Sequence, residues 1–445
     1  MASCSSDAEC RTDEGYLCDR QWRACTLANF AAIVPSTCGA VPGFGRDAAF
    51  APTTALTTAN SPGSYQRTPS AVIAGDGAVV ALYVSGGTTA ADDALGLVRI
   101  DTANRTTYPA FPAAAGRDPR LARAANGTLY AVWLALERRE IALATSTDHG
   151  ATWSNPIAVN QSGDCGEGDD DCPGEPVVIV GADPRRTGHS IVYVAYSAAG
   201  MRVRASRDGG ATFGRAVTPL AGGHGDLAVG GDGALYAIAI HGGWRGGYGS
   251  ADHRVEFSAS HDGAATFARP QAISRDGEPL PFWFANPSIV VDTKRKWLYA
   301  AYVRGGRDGV WDVAIAAAKT DGKTWSWNRA RIGDDPACAI HMVPNLALDP
   351  TTGALHVAWY DSRGPRFAHA WCTPGAARCA QLGRINDRPF ATLATGRYDA
   401  SWIGEYQTLI VDDARRTLRA VWTQPIDDGG IASRIFHARA RLPVR

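Results

Sequence analysis

Short polar segments of this 445-residue chain combine arginine, carboxylates, imidazole and aromatic rings, the side chains with which proteins hold sugars. They carry Arg67, Asp92 and Asp93, then Arg117 and Asp118, Glu175, His224 and Asp226. Trp244, Arg245 and Tyr248 follow, then Trp283, Phe284, Asn286, Arg307, Asp308, Trp311 and His341. The last group is Asp361, Arg363, Arg397, Tyr398, Trp402, Glu405 and Tyr406. Aromatic rings stack on pyranose faces, while guanidinium and carboxylate groups fix hydroxyl and acid groups. An imidazole titrating near about 6.5 suits general-base work, which makes His224 and His341 candidates. His341, His224, Glu175, Asp118 and Glu405 are also the ligand types of a metal centre, but no H-x-H or H-E-x-x-H spacing supports one. Any one of these residues could equally satisfy strand ends or bound water, so their concentration is what points to a site.

A second acidic cluster lies in Asp164-Cys165-Gly166-Glu167-Gly168-Asp169-Asp170-Asp171-Cys172. Asp164, Glu167, Asp169 and Asp171 offer the hard oxygen ligands of a structural Ca²⁺, although the order is not that of an EF-hand loop. A solvated acidic turn is the simpler reading, and no cofactor is required.

Lys+Arg and Asp+Glu are both 44, which argues against a nucleic-acid binder relying on a basic field. No apolar run is long enough to span a membrane. Four of the ten cysteines (Cys4, Cys10, Cys18 and Cys25) fall in a segment with almost no apolar residues, which only cross-links could order. Their spacing lacks the close pairs of a zinc knuckle and favours two disulfides. Cys165 with Cys172 and Cys372 with Cys379 can close locally, leaving Cys38 to pair with Cys338. The cysteines place the chain in an oxidising compartment: secreted, periplasmic or at the cell surface. Met1-Ala2-Ser3 runs straight into Cys4 without a signal peptide, so a leader is expected to have been removed.

The elements that position these residues repeat. Seven copies begin at Thr68-Pro69-Ser70, Asp118-Pro119-Arg120, Glu175-Pro176-Val177, Gly225-Asp226-Leu227, Asn286-Pro287-Ser288, Val343-Pro344-Asn345 and Glu405-Tyr406-Gln407-Thr408. Each continues into a second apolar strand rich in aromatics: 80–83, 130–133, 193–196, 236–240, 299–302, 357–360 and 419–422. A spacing of about 50 to 60 residues suits four-stranded propeller blades. The fold expected is all-β, a seven-bladed β-propeller over 39–445 preceded by a Cys-rich segment over 1–38. The seventh copy stops after three strands, and 50–56 matches the fourth strand at 267–273 in character. The amino-terminal strand is therefore expected to close the ring.

After the third strand, Ser146-Thr147-Asp148-His149-Gly150-Ala151-Thr152-Trp153 and the segment 206–213 fit the pattern S-x-D-x-G-x-T-[WF], and 260–267 fits it except that Ala264 replaces the glycine. The carboxylate accepts turn amides, glycine supplies positive φ, and the aromatic caps the blade. In the sixth copy Cys372 to Cys379 occupies that place, a disulfide standing in for the turn. These segments resemble the Asp-box (BNR) repeat of sialidase-like propellers. The resemblance implies that Asp148, Asp208 and Asp262 are structural, lying opposite the active face.

It also implies roles at a few other positions. Tyr65-Gln66-Arg67-Thr68-Pro69 looks like the sialidase [FY]-R-I-P motif with one extra residue, which gives Arg67 a substrate carboxylate. The acid/base aspartate of the family falls near Asp92-Asp93. Arg245, Arg363 and Arg397 are candidates for further arginines, Tyr406 or Tyr398 for the nucleophile, and Glu175 for the carboxylate activating it. Trp244, Trp283, Trp402 and Glu405 complete the expected substrate contacts. The family's sialidases have six blades rather than seven. The leading expectation is a glycoside hydrolase acting as a monomer on an acidic glycan. Seven blades also fit some polysaccharide lyases, in which His224, His341, Tyr406 and Arg67 would serve, and propellers act as non-catalytic glycan- or protein-binding modules too.

Overall fold

The structure, a computed structural model, describes residues 6, 16–19, 24–27, 45–57, 65–86, 93–113, 115–161, 163–165, 173–241, 253–276, 278, 280, 286–305, 311–320, 325–332, 341–361, 366–376, 378–388, 390, 404, 406–426 and 433–443. These form seven four-stranded antiparallel sheets and one two-stranded hairpin, Tyr16–Asp19 with Ala24–Leu27. Cys18 lies directly across from Cys25 in that hairpin. The innermost strands of blades 1 to 7 are Tyr65–Ile73, Arg117–Arg123, Gly174–Ala182, Gly225–Val229, Ser288–Asp292, His341–Leu348 and Thr408–Asp412. The sheet order within each blade confirms the expected seven-bladed propeller.

The second strands are buried along their middles because neighbouring blades cover both faces, and Val79–Gly86 and Leu355–Asp361 are buried throughout. Trp133, Trp359 and Trp422 occupy matching places in three of these strands and are almost wholly buried. The apolar residues pack in layers between blades, not in one central core. One layer sets Val80 and Leu82 of blade 1 against Leu129 and Trp133 of blade 2, and another sets Ala71 and Val79 against Val421 and Ile435 of blade 7.

The ring closes as expected. Thr54–Ala55 is the outer strand of blade 7, paired with Ser433–Arg441 in the register Thr54↔His437 and Ala55↔Phe436. Leu56 donates its N–H to Ile435 at 2.8 Å and Ala51 donates to Arg439 at 2.8 Å. The preceding residues clasp blade 6: Asp47 holds His369 Nδ1 at 2.9 Å, and Arg46 and Thr53 both reach Asp387. The Cys372–Cys379 disulfide is present where the hairpin turn of blade 6 was expected to need one. Cys165 is disulfide-bonded; its expected partner Cys172, and both Cys38 and Cys338, lie outside the described residues.

In each blade the antiparallel order puts the start of the inner strand and the loop between strands two and three on one face, the upper face. The hairpin between strands three and four lies on the other. There Ser146 donates to Asp148 Oδ1 at 2.8 Å, while Asp148 accepts the Thr152 N–H at 2.9 Å. The same bonds recur at 206–212 and 260–266. Donors from Thr152 and Thr212 hold Asp148 and Asp208 at about 2, well below the usual carboxylate range. These aspartates bind their own turns on the lower face.

The closing seam predicts an acid sensitivity. Burial, with His369 nearby, pushes His356 down to about 3, and burial with Arg419 and Arg439 does the same for His437. Unfolded, both imidazoles titrate near about 6.5. Between the two values the unfolded chain binds protons that the folded one does not, so stability falls as pH drops. Each contributes a slope of up to about 1.4 kcal/mol per pH unit. Urea titrations at pH 7, 6, 5 and 4 should show that fall, and His437→Leu should flatten it; equal stability at pH 7 and pH 4 contradicts the argument.

Candidate functional site

Aligning the inner strands in space sorts the upper-face residues into columns. Ser70, Arg120, Val177, Asp226, Ser288, Asn345 and Thr408 occupy one repeated position. Five of them accept the N–H of the residue after that position in the next blade. Ser70 takes it from Leu121 (2.9 Å), Asp226 from Ile289 (3.1 Å) and Ser288 from Leu346 (3.3 Å). Asn345 takes it from Leu409 (2.8 Å), and Thr408 from Ala71 (3.1 Å) across the closing seam. Neither Arg120 nor Val177 has an acceptor to offer, so the belt is interrupted on blades 2 and 3.

Two residues earlier comes a second column: Thr68, Asp118, Glu175, His224, Asn286, Val343 and Tyr406. In blades 1, 2, 3 and 6 it has positive φ, with Thr68 at 48°, Asp118 at 52°, Glu175 at 45° and Val343 at 53°. Each stands before proline at a register shift in the inner strand. Proline gives up a ladder N–H and the bulge turns the strand at the channel mouth. Held in this sparsely populated conformation, the column residue is presented toward its neighbours on the upper face.

Two pairs arise within this column. Asp118 of blade 2 and Tyr406 of blade 7 are neighbours across blade 1, close enough for the phenol to act on the carboxyl group. The chain preceding Tyr406 crosses close over Thr68: a Cβ on Gly404 would lie 2.6 Å from the Thr68 nitrogen, and Gly404 has φ of +82°. Glycine is needed there. Arg120 stacks its guanidinium 3.9 Å above the Tyr406 ring. Burial pushes the Asp118 carboxyl up, with Asp93 adding to the shift, against the pull of Arg117, Arg67 and the nearby Tyr406. In the second pair, Glu175 of blade 3 binds Nδ1 of His224 in blade 4, and both side chains keep some exposure.

Arg67 and Arg117, one residue before the column, meet at Asp93. Arg67 Nη2 and Arg117 Nε each lie 2.6 Å from Asp93 Oδ2, and the Asp93 side chain is 1 % exposed. Asp93, expected as acid/base, is instead the anchor for two guanidinium groups. Asp226 is occupied by the belt, and burial pushes its carboxyl up despite Arg120 and its backbone donors.

Other expected residues are placed differently. His341 has no exposure; it sits 3.4 Å from Asp361 and 3.9 Å from Asp312, and Asp361 also holds Arg366 at 2.7 Å. Enclosed in that network, it cannot meet a substrate as a general base. Among the described residues Glu175 faces His224, and the carboxylate beside Tyr406 is Asp118. Asp164 takes Arg204 Nη2 at 2.8 and 3.0 Å and the Tyr196 hydroxyl at 2.5 Å. Among the described residues no group of three or more His, Cys, Asp or Glu is placed to hold a metal ion, and no helix is long and apolar enough to cross a membrane. Asp92, Glu167, Asp169, Asp171, Trp244, Arg245, Trp283, Arg363, Arg397, Tyr398, Trp402 and Glu405 lie outside the described residues. Arg120 and Arg117 are the site residues that the sequence did not single out for a role. Arg120 could have been found by writing the seven copies in register, where it alone is basic in the belt column.

No protein-family model matches the chain, and none of the curated proteins is similar to it in sequence. Solved structures share its fold. A protein of unknown function from Dyadobacter fermentans DSM 18053 superposes over 91 % of this chain and 100 % of its own, with 13 % identity and a TM-score of 0.50. A leech intramolecular trans-sialidase complexed with 2,7-anhydro-Neu5Ac covers 70 % of this chain and 67 % of its own, with 12 % identity and a TM-score of 0.48. The α-L-arabinanase of Penicillium chrysogenum complexed with arabinobiose covers 72 % and 92 %, with 15 % identity and a TM-score of 0.46. At these identities the likeness is one of fold, the propeller that the repeats predicted.

The anchoring of Arg67 and Arg117 yields a test. Removing a nearly buried carboxylate that holds two guanidinium groups leaves them without their shared partner. Asp93→Ala should cost about 2–3 kcal/mol in chemical denaturation, with Arg67→Ala in that background adding less than it costs alone. Additive losses would show that the three are not coupled.

Proposed function

We propose that this propeller is a secreted carbohydrate-active enzyme, a sialidase-like glycoside hydrolase that acts on an acidic glycan at its upper face. The observation that supports this reading is the Tyr406–Asp118 pair beneath Arg120. A phenol titrates near about 10, so tyrosine needs a base and a cationic neighbour to act as a nucleophile at neutral pH. Asp118 is placed to take the phenolic proton, and its upward-shifted carboxyl makes it a stronger base than an ordinary aspartate. Arg120 over the ring favours the phenolate. Arg67 and Arg117, fixed by Asp93, offer planar donor forks to an acid group on the substrate. Tyrosine nucleophiles belong to the exceptions among retaining glycosidases, which otherwise pair two carboxyl groups. Tyr406 is 4 % exposed, so substrate binding has to displace what covers it. The disulfide chemistry of Cys165, Cys372 and Cys379 fits an oxidising compartment.

A second reading, a polysaccharide lyase, draws on the Glu175–His224 pair. An imidazole held by a carboxylate suits abstraction of the proton α to a uronate carboxyl group.

Incubation with sialylated, uronate-containing and neutral glycans separates the readings. Released reducing sugar supports the hydrolase, whereas unsaturated products absorbing in the ultraviolet support the lyase. Binding without either product leaves a recognition module. In the hydrolase, Tyr406→Phe should lower kcat by at least about 10³-fold, as expected for loss of a covalent nucleophile. Full turnover by Tyr406→Phe rejects the hydrolase reading. Arg120→Ala should also lower kcat, by roughly 10- to 100-fold, through the loss of one cationic contact to the phenolate. An unchanged kcat removes Arg120 from the mechanism.

A further inference from the structure

We infer that the Glu175–His224 pair exchanges the proton with the glycosidic oxygen, a role for which Asp93 is not placed. This inference rests on the hydrolase reading. That reading gives Tyr406 the sugar carbon and Asp118 the phenolic proton, and leaves a donor for the departing oxygen to be found. Asp93 is 1 % exposed and turns its Oδ2 to two guanidinium groups. Asp226 is engaged by the Leu227 and Ile289 amides. His341 is enclosed. Among the described residues His224 remains at the mouth, with its side chain 18 % exposed.

Its place in the fold is the stronger argument. Glu175 stands in the same column as Asp118, one blade further round, with nearly the same backbone conformation, φ of 45° against 52°. His224 continues the column on the next blade, and its carbonyl is fixed by the Ile240 N–H at 3.1 Å. The ring therefore presents Tyr406, Thr68, Asp118, Glu175 and His224 in succession: a nucleophile with its base, then a carboxylate with its imidazole. Glu175 binds Nδ1, which assigns proton exchange with the substrate to Nε2.

The steps balance. The Tyr406 oxygen bonds to the anomeric carbon as the bond to the leaving oxygen breaks. The phenolic proton passes to Asp118, and Nε2 of protonated His224 gives its proton to the leaving oxygen. In the second half, water attacks the anomeric carbon, its proton returns to His224, and Tyr406 leaves and recovers its proton from Asp118.

Leaving-group dependence tests this in the full-length protein. The substrates are the 4-nitrophenyl glycosides of sialic acid and glucuronic acid, beside the corresponding lactose-linked or disaccharide substrates. His224→Gln should lower kcat/KM at least about 100-fold on the natural linkage. On the nitrophenyl glycoside, whose leaving group needs no proton, it should still release a burst of nitrophenol. Azide should then accelerate its turnover and yield the glycosyl azide. Glu175→Gln should behave alike, and Tyr406→Phe should give no burst. Equal losses on both substrates without azide rescue, or full activity on both, overturn the assignment of His224 and leave the hydrolase reading standing. A folded wild-type protein that cleaves none of the substrates overturns the hydrolase reading and this inference with it.

Discussion

Seven sheets arranged around an axis need a way to keep their inner edges in step, and here a belt of side-chain to backbone hydrogen bonds does so. One side chain in each of five inner strands accepts an amide from the next strand round, through Ser70, Asp226, Ser288, Asn345 and Thr408. Inner edges face the channel, where an amide without a partner is costly. The belt satisfies these amides and fixes the relative height of neighbouring blades at the same time. Everything on the upper face is measured from it, since the column holding Asp118, Glu175, His224 and Tyr406 begins two residues above. Where the belt lapses, at Arg120, the side chain is released for another task, and it lies on Tyr406.

The described site residues spread over five successive blades. Blades 7, 1 and 2 hold Tyr406, Arg67, Asp118, Arg117 and Arg120, while blades 3 and 4 hold Glu175 and His224. In the same column blade 6 carries Val343, packed into the apolar layer. The geometry is therefore generic and the side chain decides its use. A chain with equal numbers of acidic and basic residues can still gather three guanidinium groups in one place, because Asp93 neutralises part of their mutual repulsion.

Much of the fold could be read from the sequence because its signals are local. Aromatic residues recur in every second strand, turn motifs after the third strand and X-Pro at the start of the first recur in several blades, and the missing fourth strand of the seventh copy pointed to the closing segment at Thr54–Ala55. The site was legible only in part. Arg67, Asp93, Glu175, His224 and Tyr406 stand out by type, but their partners depend on ring order. Tyr406 passes over blade 1 to reach Asp118, a contact between residues 288 positions apart in sequence. Register hid the rest: in blades 4 and 7 the column residue is followed by Gly225 and Gln407 instead of proline, so the copies seemed to start one residue off. The surroundings of Asp93 were hidden because its spacing from Arg67 says nothing of Arg117, and those of His341 because nothing local reveals that Asp312 and Asp361 lie beside it.

The ring is closed by the shortest of joints. Thr54–Ala55 supplies two residues to a blade whose other strands are much longer, and the residues before it fasten to blade 6 through Asp47 and Arg46. A pull on the amino-terminal segment loads that clasp first, ahead of any other strand pair. The contacts at Asp47 and Arg46 take the tension and the two-residue strand follows. Mechanically, this joint is a rip-cord: released, it bares Ser433–Arg441 as the outer edge of blade 7, while the Thr408–Ala71 bond and the apolar layer between blades 7 and 1 still hold the ring.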